Sequence, residues 1–228
     1  LALLGRNGAG KTSTLRTIAR MDDPELRSGE IWLEGKPLHT MKSWQASRAG
    51  IQLVPEDRRI IPGMTVEENL VLAQVAPGHG MSIEELYEHF PRLAERRRQE
   101  AVTMSGGEQQ MLAVARALAR EVKLLLLDEP TTGLDPVSKR EVRSFIKEVR
   151  QDHATSILLT THDMQEAEEL CDRIAVMSEG RLVKVGSLET LRNCVLKPSE
   201  DKEKLGLEEI FFRLTGKSIY EEGMSHVS

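Results

Sequence analysis

An apolar run, Leu1 to Leu4, meets the octet Gly5-Arg6-Asn7-Gly8-Ala9-Gly10-Lys11-Thr12, and a helix-forming stretch from Thr12 to Arg20 follows. No other part of the chain restricts the fold so tightly. Strand, glycine-rich turn and helix in that order, with the spacing G-x-x-x-x-G-K-[ST], are the requirements of a phosphate-binding loop. Glycines let successive backbone N–H groups converge on one spot. The helix that begins there adds its own amides and the positive end of its dipole. Lys11 is placed to reach terminal phosphates, and the Thr12 hydroxyl to bind a Mg²⁺ held between them. The octet predicts a site for a nucleoside triphosphate rather than a ligand-free turn.

Composition narrows the remaining possibilities. At 228 residues and 39% hydrophobic content the chain suits one large domain, or one domain with a small appendage. No apolar run approaches the roughly 18–20 residues of a membrane span, and the longest, Leu124 to Leu127, reads as a buried strand. A net charge of −5 gives no support for nucleic-acid binding through a basic surface. Cys171 and Cys194 follow no metal-ligand pattern and read as reduced thiols. No leader peptide is visible, although the chain opens on Leu rather than Met and its true beginning is expected to lie outside this sequence; the expectation is a soluble, cytosolic protein.

Beyond the first helix, Gly29 to Lys36 alternates about a Glu-Gly turn and predicts a strand ending in a hairpin. Gly50 to Val54 is a second short strand, stopped by Pro55, and the charged loop Glu56-Asp57-Arg58-Arg59 follows. Thr65 to Leu70 opens a helix with acidic residues in its first turn. Ser82 and Glu85 form a capping box before Leu86, Phe90 and Leu93, and Pro91 is expected to split or kink that segment. Arg96-Arg97-Arg98 sits among Glu95, Gln99 and Glu100, which favours a solvated helix face over a nucleic-acid contact.

Ser105-Gly106-Gly107-Glu108-Gln109-Gln110 carries a second piece of chemistry. Ser105 and Glu108 make another capping box, and Met111, Val114, Ala115 and Leu118 form the apolar stripe of a long helix. Two glycines in a first helical turn cost roughly 1 kcal/mol each against alanine. In return they leave a row of amides unobstructed at a positive helix end, so a second phosphate contact is the better reading.

The apolar strand Lys123 to Leu127 then delivers Asp128 and Glu129, a carboxylate for a nucleotide-bound Mg²⁺ and a neighbour able to accept a proton from attacking water. Thr131 to Pro136 is a loop. Pro136 opens a helix with Val142, Phe145, Ile146 and Val149 on one face. The β-rich run Thr155 to Thr161 ends at His162, on the edge where open α/β sheets place ligands. Arg173 to Met177 and Arg181 to Val185 flank a tight hairpin. Past Asn193, a charged linker from Lys197 to Lys204 leads to a short amphipathic helix, Leu207 to Leu214, expected to dock as a terminal helix.

The order of these motifs resembles the ATP-binding subunit of ABC transporters over residues 1 to 190 or so. The resemblance implies an α/β P-loop NTPase fold, a mostly parallel sheet flanked by helices, with a helical subdomain at about 56–120 carrying the signature motif. It implies an ATPase domain over 1–195, without the family's first strands, and a linker and helix over 196–228. Gly5 to Thr12, with Ser13 beside them, match the Walker A loop. Leu124 to Asp128 match the Walker B strand, with Glu129 as catalytic carboxylate. Ser105 to Gln109 match the signature, Thr132 to Asp135 the D-loop and His162 the switch histidine.

In that family two such subunits sandwich two ATP molecules head to tail. Ser105, Gly106, Gly107 and Glu108 of one copy would then face the γ-phosphate held by Lys11 of the other, with Asp135 at the contact. ATP and Mg²⁺ are the implied cofactors, with Thr12, Glu56 and Asp128 as metal ligands. The implied partners are a second ATP-binding subunit, in a homo- or heterodimer, and integral membrane subunits, with no nucleic acid. The implied location is the cytoplasmic face of the cell membrane.

Departures from the family pattern are informative. Only Leu1 to Leu4 precede Gly5, where the family places two further strands and an adenine-stacking aromatic residue, so none of the residues present is assigned to the base. Glu56 stands where Gln is usual. Val54 to Arg59, Thr65 to Leu70 and Phe90 to Leu93 resemble branched-chain amino-acid importers. Gly133 to Pro136, Thr161 to Met164 and Leu207 to Thr215 look more like drug or polysaccharide exporters. The region after Glu56 is where the family meets its membrane partner, which favours import. A single motif set argues against a translation ATPase. Pro37, Pro55, Pro62, Pro77 and Pro91 exclude the long coiled coil of a DNA-repair relative, and intact Lys11, Asp128, Glu129 and His162 argue against a non-hydrolysing regulator.

Overall fold

The computed structural model of the chain describes residues 1–75, 80–152, 155–196 and 205–218. In chain order it begins with strand β1 (Ala2–Leu4), helix α1 (Lys11–Ile18), short strands β2 (Trp32–Leu33) and β3 (Lys36–Pro37), helix α2 (Ser43–Arg48) and strand β4 (Ile51–Val54). Helices α3 (Val66–Gln74), α4 (Ile83–His89), α5 (Pro91–Glu95) and α6 (Gly106–Leu118) follow, then strand β5 (Leu124–Asp128). The remainder is α7 (Pro136–Asp152), β6 (Ser156–Thr161), α8 (Met164–Leu170), β7 (Ile174–Ser178), β8 (Arg181–Gly186), α9 (Leu188–Val195) and α10 (Leu207–Thr215). The chain forms two compact units, Leu1–Thr12 with Leu159–Ser228, and Ser13–Leu158.

In the first unit β1 is the inner strand. It pairs in parallel with the end of β6, Ala2 opposite Leu159 and Leu4 opposite Thr161, and in parallel with β7, Ala2 opposite Ile174 and Leu4 opposite Val176. A strand with neighbours on both sides and cover on both faces is apolar at every position, and Ala2, Leu3 and Leu4 are all buried. β7 turns back into antiparallel β8 through Glu179 and Gly180, whose φ angles of 51° and 72° give the turn a twist matched to its strands. The expected terminal helix is present as α10. It buries Leu207, Ile210 and Phe211 and packs on α8, α9 and β8. The charged linker 197–204 lies outside the described residues. Helix α9 has no counterpart in the sequence reading, although Ser187, whose Oγ accepts from Thr190 N at 3.1 Å, is an ordinary cap.

In the second unit β4 lies parallel to β5, Ile51 opposite Leu124 and Val54 opposite Leu127. The Glu34-Gly35 hairpin forms as expected, with strands of only two residues each. Helix α4 starts from the Ser82–Glu85 capping box, and Pro91 does split the segment, ending α4 at Phe90 and opening α5. Leu86, Phe90 and Leu93 are buried, and the Phe90 ring lies 4.1 Å from that of Phe145 on the apolar face of α7. Arg96 to Arg98 differ from expectation. They lie in an exposed turn after α5 rather than on a helix face. There Arg96 has a specific partner: its Nε is 2.7 Å from Glu108 Oε1. Among the described residues no helix is long and apolar enough to cross a membrane.

Candidate functional site

The glycine loop in the first unit is held from behind by the β7–β8 hairpin. Gly5 N donates to Thr161 O at 3.3 Å as the chain leaves β1, and Gly180 N donates to Ala9 O at 3.1 Å. A Cβ at Gly5 would stand 2.7 Å from the Met177 carbonyl oxygen, so the approach of β7 demands glycine. Gly8 and Gly10 adopt φ of +76° and +96°, conformations an L side chain resists. Lys11 opens α1 and is only 5% exposed. Its Nζ curls back to donate to Gly5 O at 2.8 Å and Arg6 O at 3.3 Å. The ammonium thus sits at the mouth of its own loop, beside helix amides that have no intrahelical acceptor. Thr12 is half-buried and Ser13 exposed. A cavity of about 230 Å³ opens along Arg6 to Ala9 and is walled by Met177 to Glu179 and by Lys217, which pairs with Glu179.

His162 belongs to the same unit, half-buried just past the end of β6. The turn is fixed on both sides. Thr161 Oγ1 accepts from Asp163 N at 2.9 Å, and Asp163 Oδ1 caps α8 by accepting from Glu166 N at 3.1 Å.

Within the second unit, β5 ends on Asp128, 3% exposed, and Glu129, 8% exposed. Glu129 has φ of +49°, a left-handed conformation rare for a residue with a side chain and often found where function demands it. Its Oε2 accepts from Thr132 Oγ1 at 3.1 Å. Glu56 is exposed in the loop after β4.

The predicted capping box of α6 is present. Ser105 Oγ accepts from Glu108 N at 3.3 Å, and Glu108 Oε2 accepts from Ser105 N at 3.0 Å. Burial pushes the Glu108 carboxyl up. The Ser105 hydrogen bonds and the Arg96 and Arg92 charges outweigh that, leaving it below the usual carboxylate range. Gly107 is glycine for reasons of space, and Gly106 sits in a tight fit. A Cβ on Gly107 would lie 2.7 Å from Ser138 Cβ and Oγ, and one on Gly106 would lie 3.2 Å from Leu134 Cδ2. The loop after β5 therefore lies against the start of α6. Asp135, at its end, caps α7 by accepting from Val137 N at 3.0 Å and Ser138 N at 3.1 Å. The Ser138 hydrogen bonds hold its carboxyl below its ordinary value. Arg96, Leu134 and Ser138 were not singled out from the sequence. Only the unbroken arginine run hinted at the first.

A strand, a glycine loop and a helix-opening lysine, with a further strand ending on buried Asp-Glu, define a P-loop nucleoside triphosphatase. Comparison narrows the class. The family model described as "ABC transporter" matches residues 1–132. The chain is 41% identical over 186 residues to the high-affinity branched-chain amino acid transport ATP-binding protein BraG of Pseudomonas aeruginosa, covering 80% of this chain and 78% of that one. It is 38% identical over 191 residues to the Nod factor export ATP-binding protein I of Paraburkholderia xenovorans, with 81% of this chain and 60% of that protein covered.

Among solved structures it resembles an ATP-binding subunit of an ABC transporter at 30% identity and a TM-score of 0.76, over 93% of this chain and 86% of that one. It also resembles an ATP-binding cassette solved as a dimer in a post-hydrolysis state with ADP and Pi, at 26% identity and a TM-score of 0.68, over 82% and 84% of the chains. The chain belongs to the ATP-binding family of ABC transporters and is an ATP-hydrolysing subunit of that kind.

Proposed function

We propose that this subunit works as one half of a head-to-tail pair whose ATP hydrolysis drives import of a solute of the branched-chain amino-acid type. One observation carries the pairing: the chain holds two differently built helix starts whose chemistry suits an anion, the lysine-bearing loop Gly5 to Thr12 and the glycine-opened start of α6. A triphosphate gripped by the first on one copy leaves a terminal phosphate for the second on the other. The likeness to a branched-chain amino acid transport ATP-binding protein over 78% of its length supports the solute class, and the importer-like segments Val54 to Arg59 and Thr65 to Leu70 support the direction. An exporter subunit is the second reading, favoured by the Nod factor export relative.

In this reading Gly5 to Ser13 hold the phosphates, and Lys11 neutralises the terminal one. Ser105, Gly106, Gly107 and Glu108 of the partner copy close on it, with Asp135 at the contact. Glu129 takes the proton of the attacking water and His162 contacts the γ-phosphate. Thr12, Asp128 and Glu56 offer the hard oxygens that suit Mg²⁺. Among the described residues no group of three or more His, Cys, Asp or Glu side chains forms a metal centre. An ion here would take most of its shell from phosphate and water, as Mg²⁺ does, and would supply charge neutralisation. A cleft of about 360 Å³ in the second unit, lined by Arg58, Arg59, Leu72, Arg116 and Arg120, is the surface we assign to the membrane subunit. That contact would keep the protein on the cytoplasmic face of the membrane.

The decisive variant is Glu129→Gln. Hydrolysis should fall by about 10²–10⁴ while ATP is still bound, because only the general base is lost. ATP should also drive that variant into dimers, measured by light scattering. Full turnover by Glu129→Gln, or undiminished activity from strictly monomeric protein, removes the proposal.

A further inference from the structure

The loop that follows β4 is tied to α6 at two places, by residues given no part in hydrolysis above, although Arg58, Arg59 and Arg116 also line the cleft assigned to the membrane subunit. Arg58 Nε donates to Gln110 Oε1 at 3.2 Å, and Arg116 Nη1 donates to Arg59 O at 2.6 Å. The loop is not relaxed. Arg58 and Arg59 adopt φ of +59° and +47°, a left-handed pair that ordinary side chains avoid unless the surroundings impose it. Arg58 also reaches the functional end of the helix. Its Nη1 and Nη2 lie 3.6 and 3.7 Å from where Gly106, the first residue of α6, would carry a Cβ.

The chemistry of this contact is unusual for a purely structural tie. A cation beside a helix N-terminus opposes the helix dipole, so stability alone would favour an acid there. The neighbouring Arg96 is balanced by Glu108. Arg58 faces the neutral amide of Gln110, and among the described residues it makes no ion pair. The Gln110 amide is fixed in turn: its Oε1 must face the arginine, leaving a buried Nε2 with no partner. Positive charge held beside the start of a glycine-opened helix favours an anion at that end.

We propose that Arg58 is a positioning residue for hydrolysis: anchored by Gln110, it sets the placement and the positive potential of the signature helix start from the loop that carries Glu56. This rests on the paired-subunit reading above. Displacing the α6 end on the ångström scale would spoil closure on the terminal phosphate without touching the phosphate loop of the same copy.

The test uses the purified protein, with Glu129→Gln as the parent for dimerisation and the wild type for turnover. Arg58→Ala should leave ATP affinity and KM unchanged, together with the melting temperature. It should lower kcat by roughly 10-fold to 10²-fold and weaken ATP-driven dimerisation of the Glu129→Gln parent to a similar degree. Arg58→Lys keeps the charge without the forked geometry and should recover part of both. Gln110→Met removes the anchor, and its loss should not add to that of Arg58→Ala. Unchanged kcat and dimerisation in Arg58→Ala, with the parent dimerising normally, remove the Arg58 assignment alone. Equal losses in ATP affinity and kcat for both Arg58→Ala and Arg58→Lys also remove it, as a general structural role. A Glu129→Gln parent that binds ATP yet never dimerises removes the paired reading and this inference with it.

Discussion

The phosphate loop and the start of α6 look alike in sequence, each a glycine-containing turn opening a helix, but they are glycine-rich for different physical reasons. Gly8 and Gly10 are needed for their backbone angles, and little crowds them. Gly106 and Gly107 have no such angles; Ser138 leaves no room for a methyl group on Gly107, and on Gly106 one would press Leu134 Cδ2 back by a few tenths of an ångström. Apart from Gly5, which β7 crowds, the first site makes its turn locally and adds a lysine that curls back onto it. The second borrows its shape from the loop after β5, and its charge balance from Arg96, Glu108 and Arg58. A local conformational requirement is thus separated from a tertiary one.

Three substitutions put that contrast at risk. The largest effect is expected at Gly107. Gly107→Ala forces a methyl into Ser138 and shifts the α6 amides, and losing one preorganised donor lowers kcat by about 10²–10³. ATP affinity should be unaffected. Ser138→Gly removes the atoms in the way and should restore part of the activity. If it restores none, space is not the reason for that glycine. Gly10→Ala acts through strain at φ +96°, about 1–3 kcal/mol, and nucleotide titration should show binding weakened roughly tenfold or more with no second-site rescue. A crowding origin would instead show as rescue by trimming Met177, whose Cε lies 3.8 Å from the added Cβ.

The smallest effect concerns the α6 cap. Glu108 titrates below its ordinary 4.5 in the fold, so its contribution is complete above that value and is lost as pH falls through the lowered one. Acid unfolding of wild type against Glu108→Gln should differ by about 1 kcal/mol above pH 4.5, the usual worth of a cap, and converge in stronger acid. A difference that persists at the acid end would mean that packing, not ionisation, holds the cap.

Much of the fold was legible beforehand because its signals are short-range. The capping boxes at Ser82 and Ser105, the Pro91 break, and the apolar faces of α7 and α10 all form where spacing placed them. Helix α9 was missed although Ser187 marks its start. The arginine run was misjudged for a different reason. Arg96 to Arg98 are exposed as the charged neighbours imply, but they lie in a turn rather than on a helix face, and the partner Glu108 of Arg96 comes from a different element.

Sequence alone determined the phosphate loop, because eight adjacent residues carry the left-handed angles of Gly8 and Gly10, the amides and the lysine charge; only the need for glycine at position 5 was left to the approach of β7. It also determined the family, because several such local motifs recur in a set order. Tertiary structure decided why Gly107 opens α6 beside Ser138, and that Arg58 reaches Gln110 across 52 positions of chain. Those contacts join residues remote in sequence, and excluded volume and charge pairing act on atoms only once folding has brought them within a few ångströms.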